Sequence, residues 1–137
     1  MTEAPGWNPL RWNCDTNGCF NKLRRPKIEV FAECFPGKSN FGDVDGLVEV
    51  NGHFCLLEWK GTGGQVHTGQ RISFERFVAC PGNVVFVVNG NAETMTVSSY
   101  DVFWKNQRQH HPGSLDDVKK RMKSWAAHAQ TLPRRSA

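Results

Sequence analysis

The chain has 137 residues, a length that suits one domain, and its 39% hydrophobic and 22% charged residues are those of an ordinary globular protein. No run of about 18 apolar residues marks a membrane-spanning helix. The formal charge of +4 is uneven: residues 105–137 carry eight basic against two acidic side chains, net +6, while residues 1–104 carry nine against eleven, net −2. A basic end on a near-neutral body suits either a polyanionic partner or a solvated tail.

Met1 to Asn13 has no apolar stretch followed by a small-residue cleavage site, so no signal peptide is expected. Five cysteines at irregular spacing fit a reduced, cytoplasmic protein better than a disulfide scaffold.

Residues 1–25 read as irregular, broken by Pro5, Gly6, Pro9, Asn17 and Gly18, with Trp7, Trp12 and Phe20 as anchors to the body. Pro26 reads as the first residue of a helix running from Lys27 to Phe35, with Ile28, Phe31, Ala32 and Phe35 at helical spacing and Pro36-Gly37 as its stop. Strands follow over Asp43–Val50 and His53–Lys60, joined at Asn51-Gly52, a strong hairpin turn signal. Residues 61–69 (GTGGQVHTG) hold four glycines and read as a mobile loop, followed by a helix from Gln70 to Ala79. Val84–Val88 is a continuous apolar run, as in a buried strand, ended by Asn89-Gly90. Thr94–Ser98 reads as another strand and Ser99–Trp104 as a short helix or turn. Ser114 caps a last helix, Leu115 to about Ala129, with Asp116 and Asp117 in its first turn. The expected fold class is α/β, one domain overall: an irregular segment (1–25), a core (26–104) and a basic C-terminal helix and tail (105–137).

Chemistry concentrates on the hairpin. A two-residue turn at Asn51-Gly52 sets Val50 against His53, Asp45 against Glu58 and Asp43 against Lys60. Alternation then projects Asp43, Asp45, Glu58 and Lys60 from one face. Directly opposed Cβ atoms lie about 4.5–5.5 Å apart, and like charges at that distance destabilise a sheet. A hard cation relieves the repulsion, since carboxylate oxygens are its natural ligands, and the Lys60 ammonium would sit beside it. Read without chemistry, the face is a solvated strand surface. Leu47 and Leu56 share that face, however, and glycines flank it on both sides, leaving room for close approach of a ligand.

The segment FGDVDGLVEVNGHFCLLEWKG (Phe41–Gly61), with Asp45 followed thirteen positions on by Glu58-Trp59-Lys60, resembles the PD-(D/E)xK nuclease signature. The resemblance covers roughly residues 26–90, and Val44 stands where the family often has proline. It implies a restriction-endonuclease-like mixed sheet flanked by helices and a metal-dependent DNA endonuclease, structure-specific or junction-resolving. It implies Mg²⁺, replaceable by Mn²⁺, held by Asp45, Glu58 and the backbone carbonyl of Trp59. A helix acid would assist: Glu29, or Glu33 one α-helical turn on and so on the same face, while Asp43 on the strand is a further alternative ligand. Lys60 would be catalytic, and Gln70 matches the glutamine often found on the following helix. DNA is the implied partner, with RNA open, and a homodimer would cut both strands. The small size and Trp-rich start are similar to bacteriophage-encoded members, which would act in the bacterial cytoplasm. The alternative is a catalytically inactive member of the fold that binds nucleic acid or protein, such as a phage factor acting on a host system.

Lys22, Arg24, Arg25 and Lys27 before the first helix, and Lys119, Lys120, Arg121 and Lys123 on the last, are candidate phosphate contacts or plain solvated surface. Cys14 and Cys19 form half of a zinc-like pattern without a matching second half. Cys34, Cys55 and Cys80 read as small core side chains. His67 in the glycine-rich loop is a candidate for substrate approach, and His110, His111 and His128 read as surface.

Overall fold

The computed structural model describes residues 26–39 and 41–134. The chain divides into two compact units, residues 1–42 and residues 43–137. The expected roles of Trp7, Trp12, Phe20, Cys14, Cys19, Lys22, Arg24 and Arg25 lie outside the described residues.

In the first unit the expected helix is a 3-10 helix, Ile28–Cys34, with Lys27 as its N-cap, so Pro26 lies two residues before the first helical position rather than at it. No residue of this helix is buried. Pro36 disfavours helical backbone at the residue before it, and Phe35 is extended (φ −124°, ψ 152°). A segment this short, held between two prolines, adopts the tighter helix. Phe31 and Phe35 each meet Phe41 edge-on, at 6.0 and 5.2 Å between ring centroids.

The second unit is built on one mixed five-stranded sheet. Its strands are β1 (Gly46–Val50), β2 (His53–Lys60), β3 (Val84–Asn91), β4 (Thr96–Trp104) and β5 (Gln107–Pro112). They lie side by side in chain order, with β2 and β3 parallel and every other neighbouring pair antiparallel. A parallel pair needs a crossover, which α1 (Thr68–Ala79) supplies. The last helix, α2 (Leu115–Thr131), covers the other face. Asn51 and Gly52 both take positive φ (55° and 83°), as a two-residue hairpin turn of this kind requires, and Val50 pairs with His53 as the sequence dictates.

β3 is buried on both faces, which is why it reads as an unbroken apolar run. Val85 and Val87 pack with Phe74, Val78 and Phe103 beneath α1. Val84, Phe86 and Val88 pack with Cys55, Tyr100, Val118, Trp125 and Ala129 beneath α2. Asn89-Gly90 does not end this strand. It carries a register shift, and β3 continues to Asn91. A Cβ on Gly90 would lie 2.1 Å from the Thr96 carbonyl, so only glycine fits there.

Three expectations are corrected on the C-terminal side. Ser99–Trp104 is strand, the second half of β4, because Asp101 and Phe103 alternate with Tyr100, Val102 and Trp104. β5 is an unexpected strand; its exposed, polar QRQHHP sequence is tolerated because it forms the sheet edge. The basic helix is no appendage: Val118, Trp125 and Ala129 are core residues, and the Trp125 indole N–H donates to the Gly82 carbonyl at 2.8 Å. Cys55 is buried as expected, but Cys34 and Cys80 are exposed. Among the described residues no helix is long and apolar enough to cross a membrane.

Candidate active site

β2 sends alternate side chains to opposite faces. Cys55, Leu57 and Trp59 point towards α2, and Leu56 joins the cluster under α1. Glu58 and Lys60 therefore lie on the α1 side, where Gln70, the third residue of α1, reaches both. Lys60 Nζ donates to Gln70 Oε1 at 2.8 Å, and Gln70 Nε2 donates to Glu58 Oε1 at 3.2 Å. Lys60 Nζ also stands 3.4 Å from Glu58 Oε1. Glu58 is 8% exposed, so its carboxylate depends on these partners for the hydrogen bonds that water would otherwise give. Both contacts fall on Oε1; Oε2 takes neither.

The start of α1 fixes Gln70. His67 is the N-cap, and its Nδ1 accepts the Gln70 backbone N–H at 3.3 Å. His67 thus sits at the loop–helix junction as the cap of α1 and is itself exposed. The loop itself is tied down: Gly64 N–H donates to Gly61 O at 2.7 Å, and Asn89 Nδ2 donates to Gly64 O at 2.7 Å. Asn89 pairs with Lys60 across β2 and β3, so one strand neighbour of the lysine also holds the loop that leads to Gln70.

β1 begins at Gly46, not at Asp43, so Asp43 and Asp45 precede the strand. The physical reason is Asp45 itself. In the observed register the next hydrogen-bonded pair would be Val44 with Trp59. Instead Asp45 Oδ2 accepts the Trp59 N–H at 2.5 Å, and the ladder stops. The Asp45 carboxylate is thereby held beside the Glu58–Trp59 stretch of backbone.

Glu29 and Glu33 both lie on the 3-10 helix of the first unit. At three residues per turn, positions four apart do not share a face, which removes the α-helical reason for pairing them. Lys27 is exposed at the N-cap of that helix. Lys119, Lys120, Arg121 and Lys123 are exposed on α2, on the sheet face opposite Glu58 and Lys60. Arg121 is partly engaged: its Nε donates to the Tyr100 hydroxyl at 2.9 Å.

A second polar cluster escaped the sequence reading. The ladder places Glu58, Val87, Asp101 and His110 in one row across the sheet, and Lys60, Asn89 and Ser99 in the next. Asp101, 7% exposed, accepts from Arg108 through Nε and Nη2, both at 2.8 Å, and faces His110 Nδ1 at 2.6 Å. A cavity of about 370 Å³ opens over these groups, walled by Gly63, Gly64, Asn89 and Ser99. The signal was a lone acid within an alternating apolar stretch.

Asp45 and Glu58, with the Trp59 carbonyl, are the hard-oxygen donors this part of the hairpin offers, and Asp45 is bonded to the Trp59 N–H. Two carboxylates are what Mg²⁺ needs from a protein when phosphate and water complete its shell. Among the described residues, no group of three or more His, Cys, Asp or Glu side chains is placed to hold a metal. No protein-family model, curated protein or solved structure matches this chain.

Proposed function

We propose that the chain is a metal-dependent DNA endonuclease of the PD-(D/E)xK type, with a restriction-endonuclease-like fold. The observation that carries this reading is the Lys60–Gln70–Glu58 bridge beside Asp45, at the mouth of a hairpin. Such a bridge keeps an ammonium and a carboxylate at fixed separation, which suits a phosphodiester held between a cation and a lysine. Asp45, Glu58 and the Trp59 carbonyl would hold Mg²⁺ or Mn²⁺. When bound, the metal supplies Lewis-acid activation of water and neutralises phosphate charge. Lys60 stabilises the negative charge that develops on the phosphate, and Gln70 aims Lys60. Gln70 and Lys60 both engage Glu58 Oε1, which leaves Oε2 as the oxygen that would bind the metal.

A second reading is favoured by one observation: among the described residues no group of three or more His, Cys, Asp or Glu side chains is placed to hold a metal, where the resemblance implies three acids. On that reading the chain keeps the nuclease architecture as a nucleic-acid- or protein-binding module.

One experiment separates them. Supercoiled, linear, branched and single-stranded DNA are incubated with the protein in Mg²⁺, Mn²⁺ or EDTA. The nuclease reading expects metal-dependent cutting, reduced by about 10²–10³-fold or more in Lys60→Ala and Asp45→Asn. Cutting by Asp45→Asn at the wild-type rate would remove the site assignment, and binding without cutting in either metal would establish the module.

A further inference from the structure

On the sheet face opposite Glu58 and Lys60, α2 does not fully cover β4 and β5. A cleft of about 580 Å³ remains. Its floor is apolar and aromatic, formed by Phe86, Val102, Trp104 and Trp125. Its rim carries three cations, Lys105 from the β4–β5 turn and Lys120 and Arg121 from α2, with His128 beside them on the same helix face. Among the described residues, no acidic one lines it. The walls are fixed by bonds of their own, Trp125 to Gly82 O at 2.8 Å and Arg121 to the Tyr100 hydroxyl at 2.9 Å. Lys105 Nζ stands 6.0 Å from the Trp104 ring centroid, and His128 meets the same indole edge-on at 5.8 Å.

We infer that this cleft binds a single-stranded segment of nucleic acid, with a base against Trp104 and its phosphates on Lys105 and Lys120. A flat aromatic floor bordered by cations is the combination that unpaired strands use, because every base has a π-face and every nucleotide a negative charge. An acidic peptide satisfies the rim but offers no flat ring to the indole. Duplex DNA satisfies the rim but keeps its bases stacked inside. The cleft shares no residue with the hairpin site and needs no metal, so the inference stands whether or not the chain cuts DNA. Lys119 and Lys123 do not line the cleft, which narrows the basic set on α2 to Lys120 and Arg121.

The test is binding of a labelled oligo(dT) to the full chain in EDTA, by fluorescence anisotropy across a salt series. Lys105→Asn and Lys120→Gln remove exposed charges, and asparagine tolerates the positive φ (56°) at position 105. Each should flatten the slope of log affinity against log salt by about 0.7, the single-strand value per phosphate contact. Trp104→Leu should weaken binding about tenfold and Trp104→Phe should restore most of it, the signature of stacking. Three results would each overturn the inference. One is an unchanged slope in the lysine double variant. Another is thymidine monophosphate binding as tightly as the oligonucleotide. The third is equal competition by a polyglutamate peptide.

Discussion

The bridge between Lys60 and Gln70 makes a quantitative claim that needs no knowledge of substrate. Lys60 Nζ and Gln70 Oε1 are 2.8 Å apart, and the lysine side chain is 19% exposed. A hydrogen bond to a charged group contributes about 1.5–3 kcal/mol net, and partial exposure places this one at the lower end. Gln70→Leu removes that bond and the 3.2 Å bond to Glu58, at little cost in helix propensity, so a loss of about 2 kcal/mol is expected. Lys60→Met removes the same shared bond and the 3.4 Å ion contact with Glu58. In the double variant the shared bond is counted once, so the two losses should fail to add by about 1.5 kcal/mol. Urea unfolding of the four proteins, followed by far-UV circular dichroism and tryptophan fluorescence together, measures this directly. Additivity to within about 0.3 kcal/mol would mean that the two side chains act independently. The triangle on which the proposed site rests would then be absent in solution. If the protein cuts DNA, Gln70→Leu should slow cutting less than Lys60→Met, because Gln70 acts only through its neighbours.

Three further outcomes are expected. Gly82 has φ +90°, and a Cβ there would lie 2.1 Å from Nδ1 of the buried His53; Gly82→Ala should cost more than about 3 kcal/mol by urea unfolding, and clearly less in a His53→Ala background. Asp117 is held below its ordinary carboxylate range by hydrogen bonds from Ser114, backbone first and hydroxyl second. A depressed carboxylate stabilises above its unfolded range and loses that contribution as pH falls, so the stability gap between wild type and Asp117→Asn should be present at neutral pH and close as pH falls below the ordinary carboxylate range, on a series of melting curves. Burial pushes the Cys55 thiol up to about 12, whereas Cys34 and Cys80 are exposed; peptide mapping after brief iodoacetamide treatment at pH 8 should find the latter two labelled and Cys55 labelled only in urea.

What the sequence made legible was local. Asn51-Gly52 dictates its own turn and, through the turn, the pairing from Val50–His53 to Gly46–Leu57. Ser114 and Asp117 close a complete capping box, each side chain bonded to the other's backbone. The misses depend on pairing partners rather than on the pattern of the segment itself. Ser99–Trp104 offers too few residues for its alternation to outweigh a turn reading, and β4 exists because β3 and β5 flank it. Nothing apolar marks β5, since an edge strand of this composition contributes backbone hydrogen bonds rather than burial. Without β5 the Asp101–Arg108–His110 cluster has no reason to assemble. At the site, spacing gave the shared face of Glu58 and Lys60 but not the end of the ladder at Asp45, where a side chain replaces a backbone acceptor.

The uneven charge acquires a physical meaning from these positions. Of the basic residues after position 104, Arg108 is occupied by Asp101, Lys105 rests over Trp104, and Arg121 is tied to Tyr100. The exposed remainder on α2 lies across the sheet from Glu58 and at least a helix diameter, about 10 Å, out from its own face. At physiological salt, exposed charges more than about 8 Å apart are largely screened. The α2 lysines therefore cannot relieve the repulsion between a phosphate and the hairpin carboxylates, and within the proposed function that task falls to the metal and to Lys60. Removing the C-terminal residues would not isolate the effect of their charge, because Val118, Trp125 and Ala129 would leave the core with them. Replacing Lys119, Lys120 and Lys123 by glutamine preserves that core. It should weaken nucleic-acid affinity and flatten its salt dependence while leaving the rate of cutting at saturating DNA within about twofold of wild type. A fall in that saturated rate parallel to the fall in affinity would mean that the helix and the hairpin act on the same phosphate, which their separation by the sheet forbids.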